Sequence, residues 1–176
     1  MSDPAELLKR ITWLYHFTDT RNLPKIKELG GLYSRATLKA KGLDGCHPGG
    51  NQWSLDADEM FGMHKYVHLC LRTNHPMEHI ARNEGRIEKT AWLYIDAASV
   101  FQHEGVLYSY GVSNKSGMKI VPIEEAVKDI DFQVLYTRTD WHDSEINARL
   151  CHAELCEILV PTHVPLKYFE KYFPNG

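Results

Sequence analysis

Ala153-Glu154-Leu155-Cys156-Glu157-Ile158-Leu159-Val160, closed by Pro161, is the stretch on which the fold turns. Leu155, Cys156, Ile158, Leu159 and Val160 surround Glu157 with apolar side chains. The segment therefore reads as a strand from Ala153 to Val160, covered on both faces. Pro161 ends it, because proline has no N–H to give to a ladder. A carboxylate in such a strand is costly unless it is paired or used in chemistry. Two readings of Glu157 follow: an ion pair to Arg72 or another cation, or a reactive group. Glu154 falls at the start of the strand, within reach of solvent.

Working outward, Tyr66 to Arg72 alternates, with Val67, Leu69 and Leu71 on one face and Tyr66, His68, Cys70 and Arg72 on the other. Ile11 to His16 and Ala91 to Asp96 are β-rich, and Val106 to Tyr108 is a brief extended piece. Phe132 to Tyr136 also reads as extended. Helices are expected at Ala5–Lys9, from Asp19 or Thr20 to Leu29, from Pro76 to Arg82, after Pro122, over 143–150 and from Pro165 to Tyr172. Gly30-Gly31 stops the second of these. Lys41 to Ser54, with Gly42, Gly45, Pro48, Gly49 and Gly50, is a long loop of the kind that often carries function. Strands and helices mix without a βαβ rhythm, so the class is α+β.

The 176 residues suit one domain spanning 1–176. Apolar residues make up 43% and charged residues 24%, which argues against global disorder. No apolar run is long enough to span a membrane, and no secretory signal opens the chain. Four cysteines then read as reduced thiols of a cytoplasmic protein. His64/His68, His75/His79 and Cys151-His152 with Cys156 could supply zinc ligands, but the chain has no Cys-x2-Cys pair and the first His pair falls where a strand begins, so no metal is expected. A net charge of −3 does not mark a nucleic-acid binder. Its distribution is uneven, however. Arg21, Lys25, Lys27, Arg35, Lys39 and Lys41 form a basic segment interrupted only by Glu28, while 124–145 is acidic. Either one positive face or two unrelated solvated surfaces would produce this pattern.

His16-Phe17-Thr18 directly follows the first strand, and Thr18 and Asp19 precede a helix whose free N–H groups suit an anion such as a pyrophosphate. An ordinary capped turn has the same signature.

These residues carry a resemblance. Leu14-Tyr15-His16-Phe17-Thr18, Asn22-Leu23-Pro24, Gly31-Leu32 and Ser34-Arg35 resemble the opening of DarT-type DNA ADP-ribosyltransferases. Tyr66-Val67 through His75-Pro76-Met77 is similar to their central strand and following helix. Glu157 to Pro161, then Val164-Pro165 and Tyr168, is similar to their glutamate strand. The resemblance runs in order from Leu14 to about Tyr168. It implies an ADP-ribosyltransferase fold, two small antiparallel sheets forming a cleft for NAD. It also implies transfer of ADP-ribose to a thymine or guanine in single-stranded DNA, by a toxin restrained by a DarG-type macrodomain antitoxin. Glu157 matches the catalytic glutamate, His16 the NAD-contacting histidine, and Asn22 a position in the first helix. Thr18, Arg35 and Arg72 complete the expected NAD set. Trp53, Lys39 and Lys41 are the expected DNA contacts. One departure stands out: the region where the family carries an arginine pair reads Gly49-Gly50-Asn51-Gln52-Trp53-Ser54.

One Glu on a rigid strand suits this chemistry. Breaking the bond between nicotinamide and ribose builds positive charge on the sugar, which a fixed carboxylate stabilises selectively. The alternatives are transfer to protein, RNA or water within the same fold, and a non-catalytic nucleotide-binding or nucleic-acid-binding module.

Overall fold

A computed structural model describes residues 3–43 and 46–171. Tyr172, where the last helix was expected to end, lies outside them. In chain order the elements begin with α1 (Pro4–Leu8), β1 (Trp13–Asp19), α2 (Leu23–Leu29), β2 (Gly31–Tyr33), α3 (Arg35–Ala40) and α4 (Gln52–Met60). Next come β3 (Tyr66–Cys70), α5 (Pro76–Asn83), β4 (Thr90–Asp96), α6 (Ala97–Val100), β5 (Leu107–Ser109) and β6 (Ile120–Pro122). The last are α7 (Ile123–Ala126), α8 (Phe132–Tyr136), α9 (Ser144–Leu155), β7 (Glu157–Pro161), β8 (His163–Pro165) and β9 (Phe169–Lys171).

Among the described residues the strands form two antiparallel sheets of very unequal size. The larger has seven strands in the order β6-β5-β7-β3-β1-β4-β9, and β2 and β8 form the smaller. The class is α+β, as the mixed element pattern implies. Buried Leu14, Leu69, Leu93, Ile95, Ile158 and Val160 make the centre of the core, each contributing about 1.5–3 kcal/mol by burial. Gly31 shows why the small sheet needs glycine: its φ is +145°, and a Cβ would sit 2.2 Å from the Val164 carbonyl.

Four expectations need correction. The stretch read as a strand from Ala153 is helical up to Leu155. Asp143 caps α9 by accepting from Glu145 and Ile146 N–H, and Ala153, Glu154 and Leu155 are good enough helix formers to extend it. Cys156 turns extended, so Glu157 is the first residue of β7. Phe132–Tyr136 is a helix rather than extended, capped by the Asp131 side chain. The helix expected from Pro165 shrinks, over the described residues, to a single 3-10 turn at Leu166–Tyr168 between β8 and β9. Pro165 pairs opposite Gly31, and Leu166 donates to the Gly30 carbonyl at 2.8 Å, which commits the backbone to the small sheet. The loop after Lys41 also ends earlier than expected, because Asn51 caps α4 at Ser54 and puts Trp53 on a helix.

Candidate active site

The cleft arises where β1 and β3 part. They share one register pair, Tyr15 opposite Cys70. Beyond it, the His16 side chain replaces a ladder rung: Nδ1 donates to the His68 carbonyl at 2.9 Å. A carbonyl only accepts, so Nδ1 carries the proton and Nε2 is the acceptor. Burial lowers the His16 pKa, and the nearby His68 charge pushes the same way, which keeps the ring neutral.

Across the sheet, β3 sets Cys70 opposite Glu157, and β5 sets Ser109 opposite Glu157. These contacts hold the carboxylate on a strand paired on both sides. Glu157 Oε2 accepts the Ser113 backbone N–H at 3.0 Å and lies 3.5 Å from His68 Nδ1. Burial would raise the Glu157 pKa. The His68 charge, with hydrogen bonds from His68 and Ser113, outweighs it and lowers the value.

His68 is anchored on its other side too, with Nε2 3.0 Å from the Met63 carbonyl. Burial alone would lower its pKa. The charge and hydrogen bond of Glu157, the Asp58 charge and the Met63 carbonyl push it up instead, to about 9. Burial, as the largest cause, raises the Asp58 carboxyl above its ordinary value. Asn114 ties this wall together by donating to Ser54 Oγ at 3.1 Å.

Below the carboxylate lies a cavity of about 490 Å³, within the range that small-molecule sites occupy. His16, Thr18, Asn22, Arg35, His68 and Glu157 all line it. Asn22 lines it as a clamp. Its Nδ2 donates to Thr18 Oγ1 at 3.0 Å and to the His47 carbonyl at 2.8 Å, while its Oδ1 accepts the His47 N–H at 2.8 Å. The side chain thus fastens the glycine-rich loop to the end of β1. Arg35 donates to the Leu55 carbonyl at 3.1 Å and lies 3.7 Å from Glu59. His75 also lines the cavity; its Nδ1 caps α5 at Met77, and its ring stacks on Phe17.

Four expected residues do not line this cavity. Arg72 is drawn into an ion pair with Glu154 at 3.4 Å, so it is not the partner of Glu157. Glu154 does not reach out to solvent; it is buried and accepts from Asn74 as well. Trp53, 74% exposed, stands on the outer face of α4. Lys39 lies 3.8 Å from Glu59, and Lys41 lies over the Tyr33 ring. Much of the basic segment is neutralised locally, since Arg21 pairs with Asp19 and Lys25 with Glu28. The residues that the sequence reading missed are His68, Asp58, Ser113, Asn114 and His75. His68 alone left a signal, as a titratable residue on the polar face of the strand before Arg72. Among the described residues no group of three His, Cys, Asp or Glu is arranged to hold a metal. No helix there is long and apolar enough to cross a membrane.

A carboxylate held on a central strand over a half-buried cleft, beside a neutral histidine acceptor, has the layout of an ADP-ribosyltransferase. Comparison places the chain more narrowly. The model of the family described as ssDNA thymidine ADP-ribosyltransferase, DarT, matches residues 15–173, and the chain belongs to this family of enzymes. Thermus sp. 2.9 DarT in complex with ADP-ribosylated ssDNA superposes with a TM-score of 0.68 at 18% identity, covering 91% of this chain and 79% of that one. The same protein in complex with NAD+ gives a TM-score of 0.61 at 18% identity, with 91% and 80% covered. Thermosipho africanus DarTG in complex with ADP-ribose gives 0.66 at 18% identity, covering 90% of this chain and 43% of that one. No curated protein matches the sequence.

Proposed function

We propose that this chain transfers ADP-ribose from NAD to thymine in single-stranded DNA, with Glu157 as the catalytic residue. The observation that carries this reading is the Glu157 carboxylate fixed over the cavity by β7, with its partners gathered on Oε2. NAD, when bound, supplies the ADP-ribosyl group: the bond from ribose C1′ to nicotinamide breaks with its electron pair leaving on nicotinamide, as the base nitrogen bonds to the same carbon.

The cavity suits a dinucleotide. Its lining includes the apolar side chains Ile26, Leu32 and Leu38, together with a few polar groups at defined positions. Glu157 opposes the positive charge that develops on the sugar, and Oε1, which takes no bond from Ser113 N–H or His68, is available to a ribose hydroxyl. The same carboxylate takes the proton that the base nitrogen loses. His16 offers Nε2 to a hydroxyl. The loop held by Asn22 covers the co-substrate and limits water as a competing nucleophile. Arg35 is the cation of this wall and faces the phosphates.

The acceptor strand runs past Trp53, Lys39 and Lys41, which stand outside the cavity where exposed cations and an exposed indole serve phosphates and bases. Arg72, tied to Glu154, contributes to the support of the glutamate strand rather than to NAD. The partners follow: single-stranded DNA as target and a DarG-type macrodomain as antitoxin, in the cytoplasm.

Incubation with labelled NAD tests the proposal. Label should pass to a thymine-containing single strand, much less to its duplex, and not to the same strand with thymine replaced. Transfer should weaken between about 50 and 200 mM salt. Label on protein or RNA, or free ADP-ribose alone, would overturn the DNA assignment.

A further inference from the structure

Every cation expected to balance the catalytic carboxylate is occupied elsewhere. Arg72 faces Glu154, Arg35 faces Leu55 and Glu59, and Arg21 is bound to Asp19 by its Nε and an amino group. The group that touches Glu157 is the ring of His68. That ring lies between acceptors. Its Nε2 points to the Met63 carbonyl at 3.0 Å, which cannot donate, so Nε2 carries a proton. Its Nδ1 lies 3.5 Å from Glu157 Oε2 and 3.3 Å from Ser113 Oγ. A second proton on Nδ1 gives the carboxylate a charged neighbour.

We propose that His68 is a doubly protonated positioning residue that keeps Glu157 ionised in a cleft where a second carboxylate, Asp58, also faces it. This rests on Glu157 being the catalytic group. Without a cation, two carboxylates lining one half-buried cavity would repel, and one would take up a proton near neutral pH. With the imidazolium beside it Glu157 stays charged toward the sugar, although burial pushes Asp58 the other way. Both ring nitrogens of His68 are engaged with the protein, so it acts through Glu157 and does not itself bond the base.

The groups facing His68 are Glu157 on β7, Asp58 on α4, His16 on β1 and His75 at the start of α5. Glu157 and Asp58 favour its charge. His16 and His75 are both kept neutral chiefly by burial, and each has its Nδ1 fixed by a backbone group, so neither competes for the role.

The test is the His68→Gln variant, which keeps a donor but cannot be charged. The acid limb of kcat/KM in wild type should lie below the ordinary glutamate range, and in His68→Gln it should rise by about one pH unit or more. At a pH below both limbs the variant should therefore lose about tenfold more activity, relative to its own rate at pH 8, than wild type does, since one unit of pKa is a factor of ten. An unshifted acid limb would overturn the proposal. A second measurement needs no variant: in nitrogen-15 and carbon-13 spectra of the wild type, both His68 ring nitrogens should stay protonated at pH 7 and Glu157 should be ionised there. A neutral His68 ring at pH 7 would equally overturn it. The spectra still decide the role of His68 if no transfer to DNA is found, so the two readings fail separately.

Discussion

Glu154 and Glu157 are equally buried, each has a cation beside it, and both sit at the junction of α9 and β7. Their surroundings separate them. Glu154, in the last turn of the helix, meets Arg72 and Asn74 and does not line the cavity. Glu157, at the first position of the strand, meets a histidine and a backbone N–H and lines the cavity. Arginine cannot give up its proton in a protein, so the Glu154 pair is a fixed brace. Histidine can, so the Glu157 pair adjusts to chemistry next to it. A buried, paired carboxylate is therefore no mark of catalysis by itself. What distinguishes the two is the open side and the kind of partner.

The comparison can be broken most directly at its active member. Glu157→Gln should cut turnover by about 10³-fold or more while leaving NAD affinity within about tenfold, because the charge matters chiefly in the transition state. Single-turnover transfer and NAD titration check this, and a variant with more than a few per cent of wild-type turnover would remove Glu157 from its role. Glu154→Gln should do the reverse. It should lower unfolding free energy by about 1–3 kcal/mol for the weakened buried contacts, with activity of the folded fraction within about threefold. Denaturant melts beside active-site-normalised rates separate the two, and an equal loss of activity in both variants would erase the distinction.

Asn22→Ala comes next. Its three hydrogen bonds hold Thr18 and the His47 backbone, so its loss should raise the KM for NAD several-fold, with kcat affected less. His16→Ala should raise it further. A pH experiment sharpens the contrast in partners. The His68 pKa is raised to about 9, so the stability its pair provides is complete below the unfolded histidine value near 6.5 and is lost as pH rises through about 9. Melting temperatures between pH 7 and 10 should fall for wild type and less for His68→Gln. At the rim the effect falls on the acceptor strand rather than on NAD. Trp53→Ala should weaken single-strand binding by about 1–3 kcal/mol, and Lys39→Ala or Lys41→Ala should each flatten the salt dependence slightly.

Several features were legible along the chain because they depend on local chemistry. The alternation of Tyr66–Arg72, the proline stops and the polar residue inside an apolar run marked Glu157, His16 and the glycine-rich loop. The strand–helix boundary before Glu157 was not legible. Ala153, Glu154 and Leu155 suit either state, and the Asp143 cap twelve residues from Leu155 tips them toward helix. Arg72 and Glu157 were a reasonable pair on sequence, with one cation and one carboxylate in neighbouring strands. The register decided otherwise, because Cys70 lies opposite Glu157 and carries Arg72 past it toward Glu154.

By itself, then, the sequence determined the α+β class and singled out Glu157 and His16, which line the cavity, since each depends on periodicity, burial cost or a motif written in consecutive residues. Only the tertiary structure chose the partners. His68, Asp58, Ser113 and Glu157 come from four separate segments, and what unites them is strand register and the tie of α4 to Asn114 through Ser54, which contacts between distant residues set and no local pattern encodes.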